Sequence, residues 1–324
     1  MRLKVLLLTG GLEILKMISV VTGGCGFIGS HIVDKLILLG HEVRVIDDLS
    51  AQENESFYYN IKAQYLCKDI AKDDCSSIFK NTDYVFHLAA RSRIQPTIGS
   101  PNECFEVNVV GTQRVLEWSR LNSVKRVVYS GTSSLYGHQN PIPFAPNMPS
   151  DCLNPYSMSK WMGEQVCKLY NQLYGVPSIV LRYFNVYGPR EPIKGEYAPV
   201  IGLFKRQNKR GIPMTIVAPG DQRRDFTYID DVIEANICAM NSSVIDIPYK
   251  IYNVGTGKNY SMYELAEMIL KGSTSSDNMQ EGQKIEVIDP RPAEVKETLA
   301  DIRETIKDLD WLPKHSLKDK INAY

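Results

Sequence analysis

The stretch Val20-Val21-Thr22-Gly23-Gly24-Cys25-Gly26-Phe27-Ile28-Gly29 decides how the rest of the chain is read. A short apolar run enters a turn punctuated by glycines at 23, 26 and 29, and a helix-length amphipathic segment follows. Glycine there permits a tight turn, close backbone approach to a phosphate, and packing of the next helix on the strand. The helix N-terminus then offers unpaired N–H groups and a positive dipole end. The spacing is G-x-x-G-x-x-G rather than G-x-G-x-x-G, so alone it also fits a plain glycine-rich strand-to-helix turn.

Outward from this turn, short apolar runs alternate with amphipathic segments. Residues 18–22, 42–47, 64–67, 84–87, 126–130 and 178–182 read as strands, and 27–39, 100–121 and 154–174 as helices. Most of the strands are continuous apolar runs, as buried parallel strands are. The rhythm predicts an α/β fold, a Rossmann-type doubly wound parallel sheet covered on both faces. After 182 the rhythm breaks into a Pro- and Gly-rich region, with helices expected at 229–240 and 262–271, a strand at 250–254 and a polar loop at 272–282. We therefore expect an N-terminal extension at 1–16 and a dinucleotide domain over 17–185, with a returning segment near 225–258. A smaller C-terminal α/β substrate domain is expected from 186–224 and 259–324.

Bulk properties are ordinary. Of the 324 residues, 37 are basic and 37 acidic, so nothing supports a nucleic-acid surface. Glu13 and Lys16 interrupt the apolar N-terminal run, and neither a membrane span nor a signal peptide is expected. Seven scattered cysteines without a C-x-x-C pair suggest reduced thiols in a cytoplasmic protein, and no metal-ligand spacing is visible.

Asp47 closes the second apolar run, 24 residues after Gly23. A carboxylate there can accept both ribose hydroxyls and repel a 2′-phosphate, and no arginine follows in the next few residues, which favours NAD over NADP; a mere turn former is the alternative. Asp69 and Ile70 follow the third strand, placed to reach adenine, and Leu88-Ala89-Ala90 ends the fourth with small residues that admit the cofactor. His87 reads as a packed core histidine. Tyr156 and Lys160, at i and i+4, share a helix face. A nearby ammonium and a positive nicotinamide both favour a phenolate, which would make Tyr156 a base; the pair alone equally fits an exposed helix pair without chemistry. A hydroxyl from the 130–134 segment would lie on the same sheet edge.

These pieces, in this order, resemble the extended short-chain dehydrogenase/reductases of the nucleotide-sugar epimerase/dehydratase family. The matching motifs are Thr22 to His31, Asp47-Asp48-Leu49-Ser50, Phe86 to Ala90, Asn108 to Thr112, Tyr136-Gly137, Pro155 to Lys160, Leu181 to Arg190 and Arg224 to Asp231. The resemblance implies NAD as cofactor, a UDP-sugar as substrate and a homodimer formed through the helices at 100–121 and 154–174. It implies Thr132, Tyr156 and Lys160 as catalytic residues. It places Gly23, Gly26, Phe27, Ile28, Gly29, Asp47, Asp48, Ser50, Asp69, Ile70, Leu88, Ala89, Ala90, Asn108 and Tyr183 at the cofactor. At the substrate it places Arg93, Asn185, Tyr197, Val200, Arg224, Arg291 and Thr298. For the arginines, surface ion pairing is the alternative.

Within the family, dehydratases resemble a Thr-Asp-Glu pattern, whereas this chain has Thr132-Ser133-Ser134. Lacking that carboxylate pair, it points to 4-epimerisation, which needs one base and a reversible hydride acceptor. Thr298 stands where a bulky tyrosine would restrict the pocket, and so favours UDP-GlcNAc/UDP-GalNAc, with UDP-Glc/UDP-Gal also accommodated. Where many relatives carry Ser-Val-Pro, this chain has Arg93-Ile94-Gln95-Pro96. Arg93 favours an acidic sugar such as a uronate, which keeps a UDP-glucuronate 4-epimerase as an alternative. A decarboxylase or 4,6-dehydratase is a further one, against which the missing carboxylate at 133 and 134 counts. A non-catalytic NAD sensor is disfavoured because Tyr156 and Lys160 are both present.

Overall fold

The computed structural model describes residues 16–51, 56–195, 198–272 and 285–324. Nearly all of the expected extension at 1–16, most of the expected loop at 272–282, and Tyr197 lie outside the described residues.

The expected strands form as β1 (Ile18–Thr22), β2 (Glu42–Asp47), β3 (Gln64–Cys67), β4 (Tyr84–His87), β5 (Arg126–Thr132) and β6 (Ser178–Tyr183). With the strand Tyr249–Val254 they make one parallel seven-stranded sheet, ordered Tyr249–Val254, β6, β5, β4, β1, β2, β3. The order reverses between β1 and β4, and the crevice opening there at the strand C-termini is where such sheets take ligands. β5 and β6 are buried along their whole length, which explains their lack of polar alternation.

Helices α1 (Phe27–Leu38), α2 (Ile94–Gly99), α3 (Pro101–Phe105), α4 (Gly111–Leu121), α5 (Pro155–Tyr174), α6 (Val200–Lys209), α7 (Ile229–Asn241) and α8 (Met262–Lys271) follow in order. Ile32, Val33 and Leu36 of α1 join α7 side chains in the apolar cluster on one sheet face. Val115 and Leu116 of α4 join Cys167 and Tyr170 of α5 on the other. Helix α5 has strong local start and stop signals: Asn154 and Ser157 form a reciprocal capping box, Pro155 opens the first turn, and Gly175 closes the helix in the left-handed region at φ 67°.

Two expectations needed refinement. The helix at 100–121 forms without interruption over Pro101–Leu121, with a π-helical turn, Glu106–Val110, between α3 and α4. There the side chain of Asn108 turns inward to bond the Arg91 backbone and Ser159 rather than solvent. The region after 182 is more ordered than its Pro and Gly content suggests. It contains α6 and the strand Met214–Val217, which pairs in parallel with Ile285–Ile288. The breakers lie between these elements: Pro199 precedes the first turn of α6, and Gly211 and Pro213 lie in the connection. No helix among the described residues is long and apolar enough to cross a membrane.

Candidate active site

A cavity of about 490 Å³ lies at the sheet's switch point and runs from the glycine turn to Asn185 and Arg291. At its first end, α1 starts with no side-chain cap on Gly26, which leaves its first-turn N–H groups for an anion. A Cβ on Gly29 would sit 2.1 Å from the Gly23 carbonyl oxygen, so only glycine lets the helix start this close to the turn. Asp47 is fixed by two backbone donors, Cys25 N–H to Oδ2 at 2.9 Å and Leu49 N–H to Oδ1 at 2.9 Å. Burial pushes its pKa up, and these donors oppose that. An uncapped helix start beside a held carboxylate, lined onward by Ile70 and Leu88-Ala89-Ala90, fits the phosphates and ribose of a dinucleotide.

Gly23, Gly26, Phe27, Ile28, Gly29, Asp47, Asp48, Ser50, Asp69, Ile70, Leu88, Ala89 and Ala90 line this end, with Tyr156, Lys160 and Tyr183 further along. Asn108 does not line it; its side chain clasps the backbone of Arg91 from beneath. Arg91 itself was invisible as a site residue, although it directly follows the His-Leu-Ala-Ala run. It crosses the cavity mouth to bond Ser50 and pairs with Asp48 at 3.3 Å and Glu103 at 2.9 Å. An arginine therefore does reach the ribose end, from the loop after β4 rather than from the residues after Asp47. It is paired there with carboxylates.

At the middle of the cavity, β5 delivers Thr132 and α5 delivers Tyr156 and Lys160. Thr132 is 6% exposed and caps the turn that follows, accepting from the Ser134 N–H. Burial pushes the Tyr156 pKa up, while a hydrogen bond with Thr132 and the charge of Arg93 pull it down. Arg93, which the sequence did not connect with the phenol, thus adds a positive charge that acts on it. Lys160 is 3% exposed, and burial lowers its pKa to about 8. His87 donates or accepts with Thr22 at 2.7 Å and Thr112 at 2.8 Å, and burial brings its pKa to about 3, as befits a neutral core histidine.

At the far end Arg93, Asn185, Val200 and Arg291 line the wall. Asn185, at φ 28°, donates to the Asp225 carbonyl at 2.9 Å and to Thr298 Oγ1 at 3.3 Å. Thr298 lies behind Asn185 rather than in the lining, its hydroxyl also accepting the Asp225 N–H at 3.3 Å. Arg224 is likewise outside the lining and donates to the carbonyls of Arg223 and Lys296. Glu191 was missed: it lines the wall, accepts the Tyr324 hydroxyl at 2.8 Å, and is pushed up to about 7 by burial. Its place directly after Gly-Pro-Arg was the available signal.

The fold and this cavity define a dinucleotide-binding protein with a hydroxyl, a phenol and an ammonium gathered beside the cofactor end. Residues 19–255 match the NAD dependent epimerase/dehydratase family, and the chain belongs to it. A putative UDP-glucose 4-epimerase of Methanocaldococcus jannaschii is 37% identical over 93% of this chain and 95% of its own length. Among solved structures, a UDP-glucose 4-epimerase of Thermotoga maritima with UDP-glucose is 30% identical, with a TM-score of 0.86 over 94% of this chain and 96% of that one. A UDP-N-acetylglucosamine 4-epimerase of Methanobrevibacter ruminantium, in complex with UDP-N-acetylmuramic acid, is 31% identical, with a TM-score of 0.86 over 95% and 96%. The protein is an NAD-dependent enzyme of the epimerase class.

Proposed function

We propose that the chain is a UDP-hexose 4-epimerase, acting on UDP-GlcNAc/UDP-GalNAc and also accommodating UDP-Glc/UDP-Gal. The observation that carries this reading is the Thr132–Tyr156–Lys160 group at the cofactor end, with serines and no carboxylate at 133 and 134. The relatives' names support it. The turn before α1 and Asp47 hold NAD, with Lys160 directed to its second ribose. Tyr156 takes the proton from the sugar 4-hydroxyl while Thr132 hydrogen-bonds that oxygen. Bound NAD⁺ supplies a reversible hydride acceptor for C4 and a positive charge beside the phenol. After the 4-keto sugar has turned about its diphosphate, so that its other face receives the hydride back at C4, Tyr156 returns the proton to the 4-oxygen. Arg291 in the lining offsets the diphosphate by paired hydrogen bonds. A 2-acetamido sugar is supported by the likeness to a UDP-N-acetylglucosamine 4-epimerase rather than by Thr298, which lies one layer behind Asn185.

Arg93 favours a second reading, in which the sugar carries a carboxylate. Incubation with UDP-GlcNAc, UDP-Glc or UDP-GlcA without added NAD, followed by NMR, separates the two. The first reading expects the 4-epimer of UDP-GlcNAc. Turnover of UDP-GlcA alone supports the second, and a 4-keto-6-deoxy product or released CO₂ overturns 4-epimerisation. We further propose a homodimer through the outer sides of α4 and α5, where Leu121, Leu169 and Leu173 are exposed; light scattering should give twice the chain mass.

A further inference from the structure

Lys160 carries its charge in a nearly closed site, and the adjacent carboxylate, although it acts on that charge through space, makes no hydrogen bond to it. Glu164, one turn further along α5, gives both oxygens to Arg182, at 3.0 and 2.8 Å. What lies against the ammonium is the ring of Tyr129, with Nζ 4.2 Å from the ring centroid. Tyr129 is fully buried on β5, three residues before Thr132, and its hydroxyl donates to the Lys160 carbonyl oxygen at 3.2 Å. One side chain thus fixes both the backbone and the charged tip of Lys160. Gly163 makes this seat possible, because a Cβ there would lie 2.2 Å from the Tyr129 hydroxyl oxygen. The imidazole of His87, 5.6 Å from the Tyr129 ring, is neutral and adds no competing cation.

We propose that Tyr129 is a positioning residue for Lys160, its π face serving in place of a counter-carboxylate. A carboxylate would occupy the ammonium's N–H donors and hold it against the protein. A π face attracts the charge without a directional acceptor, so the three donors remain for hydroxyls on the cavity side. Other titratable groups around Lys160 are Glu164 and Cys167 on its own helix, Cys104 on α3, His87 on β4 and Tyr156. The inference rests on the reading of Lys160 as a participant at the cofactor end.

The test replaces Tyr129 by Phe, or by pentafluorophenylalanine at the same position, which keeps the ring's shape but removes its negative face. Turnover of the UDP-sugar is followed against pH, with Tyr129→Leu as a third variant. Weakening the π contact lowers the Lys160 pKa, so the alkaline loss of kcat should move down by about one pH unit in the fluorinated and Leu variants. Above that limb, turnover should be roughly tenfold below that of Tyr129→Phe, which should recover most of the wild-type profile. Identical alkaline limbs for the Phe and pentafluorophenylalanine proteins would overturn the proposal. Lys160→Ala tests the underlying reading separately: near-normal turnover in that variant sinks the role of Lys160 itself, whatever Tyr129 does.

Discussion

The two ends of the cavity are built in opposite ways. The cofactor end comes from short contiguous runs: the glycine turn, Asp47-Asp48 through Ser50, and Leu88-Ala89-Ala90 all sit in single loops at strand ends. The sugar end is assembled from distant pieces, with Arg93, Asn185, Val200 and Arg291 brought together from four separate segments. Backbone geometry serves a shared ligand part, the dinucleotide, and can be encoded locally. Side chains of scattered origin serve the variable part, and their contacts depend on how the C-terminal segments pack.

Mutations should separate the two ends from the chemistry between them. Tyr156→Phe should lower kcat by roughly 10³-fold while NAD stays bound, since it removes the proton carrier alone. Near-normal turnover in a stopped NMR assay would remove Tyr156 from the role. Next in size is Glu164→Ala, which touches neither ligand. Glu164 is fully buried and paired with Arg182, 4% exposed, at 2.8 Å, so its loss leaves an uncompensated buried charge. Denaturant unfolding should show about 3–5 kcal/mol of lost stability. A loss below 1 kcal/mol would mean that the pair does not tie α5 to β6.

Asp47→Asn should weaken NAD retention by about 10- to 100-fold, by loss of a charge-assisted pair of hydrogen bonds, with the UDP-sugar KM little changed. Equal effects on cofactor and sugar would break the comparison of the two ends. The smallest effect is expected from Arg93→Ser: a several-fold change in the ratio of activity on neutral and carboxylated sugars, with NAD content unaltered, read from parallel turnover assays. No change in that ratio would show that Arg93 does not select the sugar.

Legibility follows the same division. The six N-terminal strands and α1 were readable because buried parallel strands and a glycine-punctuated turn leave contiguous signals. α6 was not, since the prolines and glycines around 199–213 read as breakers although they lie between elements. Arg91 was missed because its target, Asp48, is 43 residues earlier, and only the β1–β4 crossover brings the two loops together. Thr298 could be placed in the family's order but not in space; its hydroxyl is turned toward Asn185 and Asp225.

From the sequence alone came the parallel sheet, the dinucleotide turn and the Tyr156–Lys160 pair, because strand period, helix spacing and glycine geometry are local properties of the chain. The tertiary structure decided what acts on those groups. It set Arg93 near Tyr156 and placed Tyr129 under Lys160. It also left Thr298 behind the wall, since burial and charge at a site depend on neighbours from every segment that closes over it.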